Sequence, residues 1–511
     1  MRGSIIGILS QLINLAAKFV VRTFFIRYLG SDLLGLDSVL MDIIRMLSLA
    51  EMGITSSMLF RLYPPMLQKD HGRINALMAA YRKIYHGIAL VIFLAGMVIS
   101  LALPKIVKGL SLSWGKIYLA FYLQLACSVS SYLLAYQRIL LHGDQKKHIC
   151  LTVDLAANLA FSVLSILCII AARSYEAYLA ASILQTISAD LILRSFTRRH
   201  YPFVNRSGTA QASDRREILS DTKDLLGNKL AGYVYNSTDN LIVSSFLGTG
   251  TVGLLSNYKY ISSALRSLMN STMSTIQPLL GSYLNAGTKP EESFATLKRY
   301  TFIRFFLAGM AVLPFVTLSH VFIGLWSGSA DYVLGLEVPL LIAADFYIGC
   351  VYYPLREYIL GLGLFKKGKY SSYACALCNA LLSLIGVQFW GIRGVLLATV
   401  IAQLVIWLGD GIIILRGYYG GNRDYLREYV TAHLGYAGVL VFCCILSSIC
   451  LRSLALLPDP AELLLGAAMD ELLFFCTVVI VFRNRDEFQY AVSLIKTLFR
   501  KVLQKNEIPD P

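Results

Sequence analysis

Four stretches of this chain carry charged and amide side chains at helical spacing among otherwise apolar residues. Gln11, Asn14, Lys18 and Arg22 form one polar stripe. Ser38, Asp42 and Arg45 share a second face, with Glu51 further along. Asn228, Gly232, Tyr235 and Asp239 make a third column, beside Lys229, Tyr233, Asn236 and Asn240; Lys259, Ser263, Arg266 and Asn270 make a fourth. A charge at mid-membrane costs about 2.5–3.5 kcal/mol on insertion scales. Such helices are therefore expected to line a wet cavity instead of facing lipid. The cations (Lys18, Arg22, Arg45, Lys229, Lys259, Arg266) outnumber the anions (Asp42, Glu51, Asp239). That surplus suits an anionic ligand, and the planar arginine fork suits phosphate because it donates two hydrogen bonds at once. Plainer roles stand beside these. Asp42 and Arg45 would neutralise each other within one helix, Lys18 and Arg22 would snorkel toward an interface, Glu51 would cap or pair near the cytoplasmic face, and Lys229 would be a topological anchor. Asp239 and Arg266 would each belong to a structural pair.

The elements that must hold these residues are membrane helices. The 511-residue chain is 56% hydrophobic and 15% charged, against about 25% charged in soluble domains, and its mean hydropathy is +0.61. Apolar runs recur along it, giving about fourteen expected spans: 4–22, 35–60, 84–104, 117–138, 150–172, 175–194, 224–246, 252–280, 300–323, 337–360, 371–389, 393–415, 432–451 and 461–482. The first run is broken by Gln11, Asn14 and Lys18 and lacks a small-residue cleavage site, so it reads as a span and not a signal peptide. The net charge of +15 does not imply nucleic acid, because Lys and Arg cluster in short connectors. With both termini cytoplasmic, roughly thirty basic residues lie inside and roughly eight outside.

The two halves repeat. Leu29-Gly30, Gly35-Leu36, Ser38, Ile43 and Leu47 recur with identical spacing as Leu247-Gly248, Gly253-Leu254, Ser256, Ile261 and Leu265. Six spans separate the copies, so they run parallel, as in transporters built from repeats related about the membrane normal. The expected fold is an all-α polytopic membrane protein of two six-helix bundles, 1–195 and 223–420, joined by a cytoplasmic linker 196–222. A helix pair 421–483 and a cytoplasmic amphipathic tail 484–511 are appended. The tail segment 485–505 reads as a helix lying on the inner leaflet, and 66–83 is a weaker case.

Other polar residues invite weaker readings. Asp345, Gly349, Tyr352 and Arg356 share a face of the tenth span; Pro354 is expected to bend it, with Glu357 in a local ion pair. Asp190 and Asp410 are expected at interfaces and His320 packed. Cys375 and Cys378 form a C-x-x-C without a second pair, so they and the other cysteines read as core residues. No Walker A, zinc spacing or nucleophile elbow occurs, which excludes an ATPase or hydrolase reading. No enzyme activity and no cofactor are expected, apart from proton or sodium coupling.

The stretch Arg27-Tyr28-Leu29-Gly30 through Leu47-Ser48-Leu49-Ala50-Glu51-Met52-Gly53-Ile54 resembles the bacterial polysaccharide transporters called Wzx flippases, of the multidrug/oligosaccharidyl-lipid/polysaccharide superfamily. Leu62-Tyr63-Pro64, Tyr81-Arg82-Lys83-Ile84-Tyr85, Asn228-Lys229-Leu230-Ala231-Gly232, Ser237-Thr238-Asp239-Asn240, Ser245-Phe246-Leu247-Gly248 and Gly253 to Tyr258 extend the likeness. Asp37 departs from it, standing where the family pattern leads one to expect an amide. The resemblance implies two six-helix bundles around a central cavity, usually with two further helices. It also implies movement of undecaprenyl-pyrophosphate-linked sugars from the cytoplasmic to the outer leaflet of the bacterial cell membrane.

The resulting expectation is a lipid-linked oligosaccharide flippase working by alternating access. Lys18, Arg45, Lys229 and Arg266 would hold pyrophosphate, with Arg22 and Lys259 as further substrate-binding residues. Asn236, Asn240, Asn257, Tyr235 and Tyr258 would meet sugar hydroxyls, and Asp42, Glu51 or Asp239 would couple transport to an ion gradient. Its partners would be the lipid-linked oligosaccharide, the membrane and a polysaccharide polymerase with other assembly proteins, with no nucleic acid. The rivals are a cation-coupled drug antiporter of the same superfamily, which would favour a more acidic cavity, and a membrane polysaccharide polymerase, which would need larger outer loops.

Overall fold

The computed structural model describes residues 2–48, 54–204, 231–232, 234–235, 237–273, 276–454 and 457–505. Every regular element among them is helical: α1 (Arg2–Leu47), α2 (Ile54–Gln68), α3 (His71–Ser100), α4 (Leu103–Ile106), α5 (Trp114–Leu134), α6 (Tyr136–Gly143), α7 (Lys147–Ala172), α8 (Tyr175–His200), α9 (237–247), α10 (Thr249–Met273), α11 (Ile276–Asn285), α12 (Pro290–Ser327), α13 (Glu337–Gly361), α14 (Phe365–Gly411), α15 (Arg423–Leu454), α16 (Asp459–Phe482) and α17 (Asp486–Lys505). The chain is an all-α polytopic membrane protein. Among the described residues nine helices are long and apolar enough to cross a membrane. The one that includes α14 reverses at Gly391, where φ is +57°, and supplies two expected spans. Of the four expected spans that hold the polar stripes, the first lies wholly in described residues and is not among these nine, while the second, seventh and eighth include residues outside the described ones.

Expected span 35–60 covers the second part of α1 and the start of α2, and 252–280 covers most of α10 and the start of α11; residues 49–53 and 274–275 between them lie outside the described residues. The 66–83 segment is not a surface helix. It holds the end of α2, a left-handed Lys69 at φ +55°, and an α3 start capped by Asp70, whose carboxylate accepts Arg73 N–H at 2.9 Å. The basic stretch after residue 195 continues α8 to His200, and residues 205–222 of the expected linker lie outside the described residues.

Packing groups the chain into two units, 1–257 with 379–395, and 258–378 with 396–511. In the first, α1 packs on α7, α5 on α3 and α8, and α7 on α8. The repeat is visible here in the backbone. Gly30 and Gly248, its matching glycines, have φ of +83° and +94°, a region open to glycine at little cost. The Gly248 turn is also hooked to the connector after α4. Thr249 N–H donates to Lys108 O at 2.8 Å, and Ser244 Oγ donates to Ile106 O at 2.7 Å.

In the second unit α12 is the hub, touching α13, α15, α16 and α17. Phe305 stacks on Tyr436 with ring centroids 4.4 Å apart, and Phe474 fills the space beside Gly309, so the appended pair α15–α16 seats on α12. The tail helix α17 is tied to the same element, with Arg299 paired to Asp486 at 2.8 Å and Phe488 against Phe302. Pro354 lies inside α13, which runs unbroken from Glu337 to Gly361.

Candidate functional site

The polar stripe of α1 is committed to hydrogen bonds across the first unit. Arg22 donates from Nη2 to Ser256 Oγ at 2.7 Å and to Asn257 Oδ1 at 3.0 Å. This joins the first helix of one repeat to the second helix of the other, and it leaves the buried Asn257 Nδ2 with no hydrogen-bond partner among the described residues. Asp37, the position that departs from the family pattern, accepts from Gln124 Nε2 at 2.8 Å and Tyr175 Oη at 2.9 Å. Both donors reach the same Oδ1, whose two lone pairs accept them together.

Further along α1, Asp42 is 2% exposed and accepts from Asn240 Nδ2 at 2.6 Å and from Arg45 at 3.2 Å. The intrahelical neutralisation read from the spacing is present. Arg45 is nevertheless 58% exposed at its side chain, so the pair leaves most of the guanidinium open. Asp239 is 3% exposed and accepts from Asn379 Nδ2 at 3.3 Å, on the same hairpin that carries the buried Ser383. Arg266 forms its structural pair with Asp345, at 3.0 Å. Gly349 makes room for that arginine: a Cβ there would stand 2.4 Å from Arg266 Nη1. Lys259 is half-buried on α10, and Tyr258 Oη accepts Leu334 N–H at 2.9 Å. Lys229, Asn236 and Glu51 lie outside the described residues.

Lys18 stands elsewhere in the first unit, in the wall of a cavity of about 450 Å³ between α1, α5, α6, α7 and α8. The same wall holds Arg138, which bridges Asp154 at 2.7 Å and Asp190 at 2.9 Å. Arg138 is not simply a connector charge, and Asp190, 4% exposed, is buried against its guanidinium, which compensates the burial. Asp410 is likewise fully buried, paired with Arg356 at 3.0 Å and accepting from Ser371 Oγ at 2.6 Å. Among the described residues Glu357 has its ion pair across helices. It faces Arg304 of α12 at 3.8 Å, both nearly inaccessible.

Two charged centres fall outside the expected set. One is Arg304. The other is Asp470, fully buried in α16, which accepts from Thr317 Oγ1 at 2.6 Å and from Ser447. Both lie inside expected spans (300–323 and 461–482), so the rule that intramembrane charge marks a specific role would have found them. Among the described residues no cluster of His, Cys, Asp and Glu suits a metal ion, and the cysteines are free.

The chain folds as an all-helical membrane protein with polar leading helices. Its fold is similar to that of lipid II flippase MurJ in an inward closed conformation, with a TM-score of 0.68 at 13% identity, covering 94% of this chain and 98% of that one. An inward-facing multidrug-resistance MATE transporter gives 0.62 at 14% identity, covering 78% and 92%. A mutant of the Vibrio cholerae MATE transporter VcmN gives 0.53 at 12%, covering 81% and 96%. Residues 1–284 match the model of the polysaccharide biosynthesis protein family, and the chain belongs to that family. No curated protein matches it in sequence.

Proposed function

We propose that this protein moves an undecaprenyl-pyrophosphate-linked oligosaccharide from the cytoplasmic to the outer leaflet of the bacterial cell membrane by alternating access. The observation that carries the reading is the state of Arg45. It lies on a membrane helix yet is 58% exposed at its side chain. An arginine so placed is tolerated only where water or an anion meets it. Within the first unit, Arg22 and Lys18 on α1 supply further cations for the pyrophosphate, and Asn240 and Asn257 supply donors and acceptors for sugar hydroxyls; Arg266, in the second unit, is a separate candidate read from the sequence. Membership of a polysaccharide biosynthesis family supports this class of cargo.

Asp239 is the favoured coupling group. Its carboxyl is 3% exposed and takes a hydrogen bond from the Asn379 amide, and Ser383 Oγ is buried in the same hairpin as that amide, with no hydrogen-bond partner among the described residues. A buried carboxyl beside a buried amide is a place for a proton or a sodium ion to bind under this reading. Asp42 and Glu51 are the other candidates. Both termini face the cytoplasm under this reading, and a polysaccharide polymerase receives the flipped lipid.

The test is protection of undecaprenyl-pyrophosphate-linked oligosaccharide from an external glycosidase in proteoliposomes. Protection should require the protein and fall at least tenfold in Arg45→Ala and Arg266→Ala at equal protein incorporation. Normal rates in both variants would refute the phosphate assignment. Efflux of small cationic dyes with no lipid movement would make the protein a cation-coupled antiporter.

A further inference from the structure

The cavity of the first unit has a composition unlike that of the cation stripes. Arg138 is held between Asp154 and Asp190, so this trio carries one net negative charge. Lys18, exposed in the same wall, restores the balance. The rest of the wall's polar surface is amide and hydroxyl. Asn158 Nδ2 donates to Asn14 Oδ1 at 2.5 Å, and Gln185 Nε2 donates to Asn158 Oδ1 at 3.4 Å. Each carboxamide has two donors and two acceptor lone pairs, so this string leaves several of each for a ligand.

A formally neutral wall of alternating donors and acceptors has no surplus attraction for a phosphate. It matches a ligand that presents hydroxyls, each both donor and acceptor. The volume, about 450 Å³, falls within the roughly 300–1,000 Å³ of small-molecule sites. It admits part of an oligosaccharide and excludes a long isoprenoid chain. Lys18 lies one helical turn from Asn14 on α1 and one turn from Arg22 on the other side. A phosphate near Lys18 would therefore place the attached glycan beside the Asn14–Asn158–Gln185 string.

We propose that this cavity is a sugar-binding subsite that reads the neutral, hydroxyl-bearing part of the cargo's glycan, with Lys18 marking the end next to its phosphate. The proposal rests on the flippase reading given above and adds to it a place where cargo length and sugar identity are sensed.

The experiment compares two probes in proteoliposomes, an undecaprenyl-pyrophosphate-linked oligosaccharide and the same lipid carrying a single N-acetylglucosamine. Asn158→Leu and Gln185→Leu should each lower the ratio of oligosaccharide to monosaccharide transport at least fivefold. Arg45→Ala should slow both probes without moving that ratio. Gln185→Leu guards against a folding defect, because the bond it removes is a long one. An unchanged ratio in both leucine variants, whether the rates are normal or fall in proportion, would overturn the subsite. Failure of the wild-type protein to move either lipid would instead sink the flippase reading, and the subsite with it.

Discussion

Gly35 and Gly253 hold the same position in the two copies of the repeat, and their helices cross there backbone against backbone. A Cβ on Gly35 would stand 2.0 Å from Thr249 O and 2.9 Å from Gly253 N; one on Gly253 would stand 1.9 Å from Ser31 O. Ser31 and Thr249 each precede their glycine by four residues, so both helices present a small-xxx-small edge of the kind that brings membrane helices into close contact. The duplicated sequence thus meets its own copy within the first unit.

Because the obstructing atoms are backbone, neither helix can yield by turning a side chain. Gly35→Ala and Gly253→Ala should each destabilise the protein by more than the about 1–3 kcal/mol usual for overpacking. Gly87→Ala is the control, since nothing lies within 4 Å of a Cβ there. Thermal unfolding in detergent should show a lowered midpoint for the first two and no lowering for the third. Equal midpoints for all three would mean that the crossing is looser than described.

Arg304 is 1% exposed and donates to Tyr300 Oη at 3.1 Å, with the Tyr353 ring 4.4 Å from its guanidinium and Glu357 at 3.8 Å. Removing one partner of such a buried pair leaves a charge without compensation, at a cost of about 3–5 kcal/mol. Arg304→Met should therefore unfold early, and Arg304→Met with Glu357→Met should recover most of the loss. A double variant as unstable as the single one would show that the tyrosine contacts, not the charges, carry the stability.

Outside the spans, Asp144 accepts from Tyr201 Oη at 2.5 Å and Lys146 Nζ at 2.7 Å, tying the turn after α6 to the end of α8. Burial pushes its carboxyl up, but these two donors outweigh that and hold it below the ordinary carboxylate value. A lowered folded pKa gives stability that is present above the unfolded value of about 3.9 and lost as pH falls through the folded one. The midpoint of the wild-type protein should exceed that of Asp144→Asn at neutral pH, and the gap should narrow on acidification below that value. A gap independent of pH would assign the effect to packing.

Composition and spacing carry the membrane class, the repeat and the helices that hold charge, because these depend on hydropathy summed over about 20 residues and on exact residue matches. The partners are less legible. Asp42 and Arg45 are close in sequence, so their pairing follows from helical geometry alone. Arg22 with Asn257, Arg266 with Asp345 and Arg138 with Asp190 join residues 52 to 235 positions apart, and no local periodicity encodes which helices meet. Asp190 and Asp410 read as interfacial because each lies near the end of its span. Their burial depends on arginines contributed by other helices, Arg138 and Arg356.

Asp470 differs from Asp190 and Asp410 in having no basic side chain in an ion pair with it among the described residues. Its two oxygens accept from Thr317 on α12 and Ser447 on α15, so one side chain fastens three helices. Thr317 Oγ1 also reaches Leu313 O at 2.9 Å and would keep a partner if the carboxyl were removed; among the described residues no other bond is found for the Ser447 hydroxyl. Asparagine keeps a carbonyl acceptor and adds N–H donors, so Asp470→Asn should preserve both contacts and lose less than about 1 kcal/mol, the usual worth of one hydrogen bond. Leucine would strand the Ser447 hydroxyl at a cost of about 1–3 kcal/mol. Ranking the two variants by melting temperature, with lipid transport measured in parallel, decides the group's role. Stable Asp470→Asn protein that transports normally makes Asp470 a hydrogen-bonded fastener. Stable protein that has lost transport would mean that the ionisable proton itself is used in the cycle.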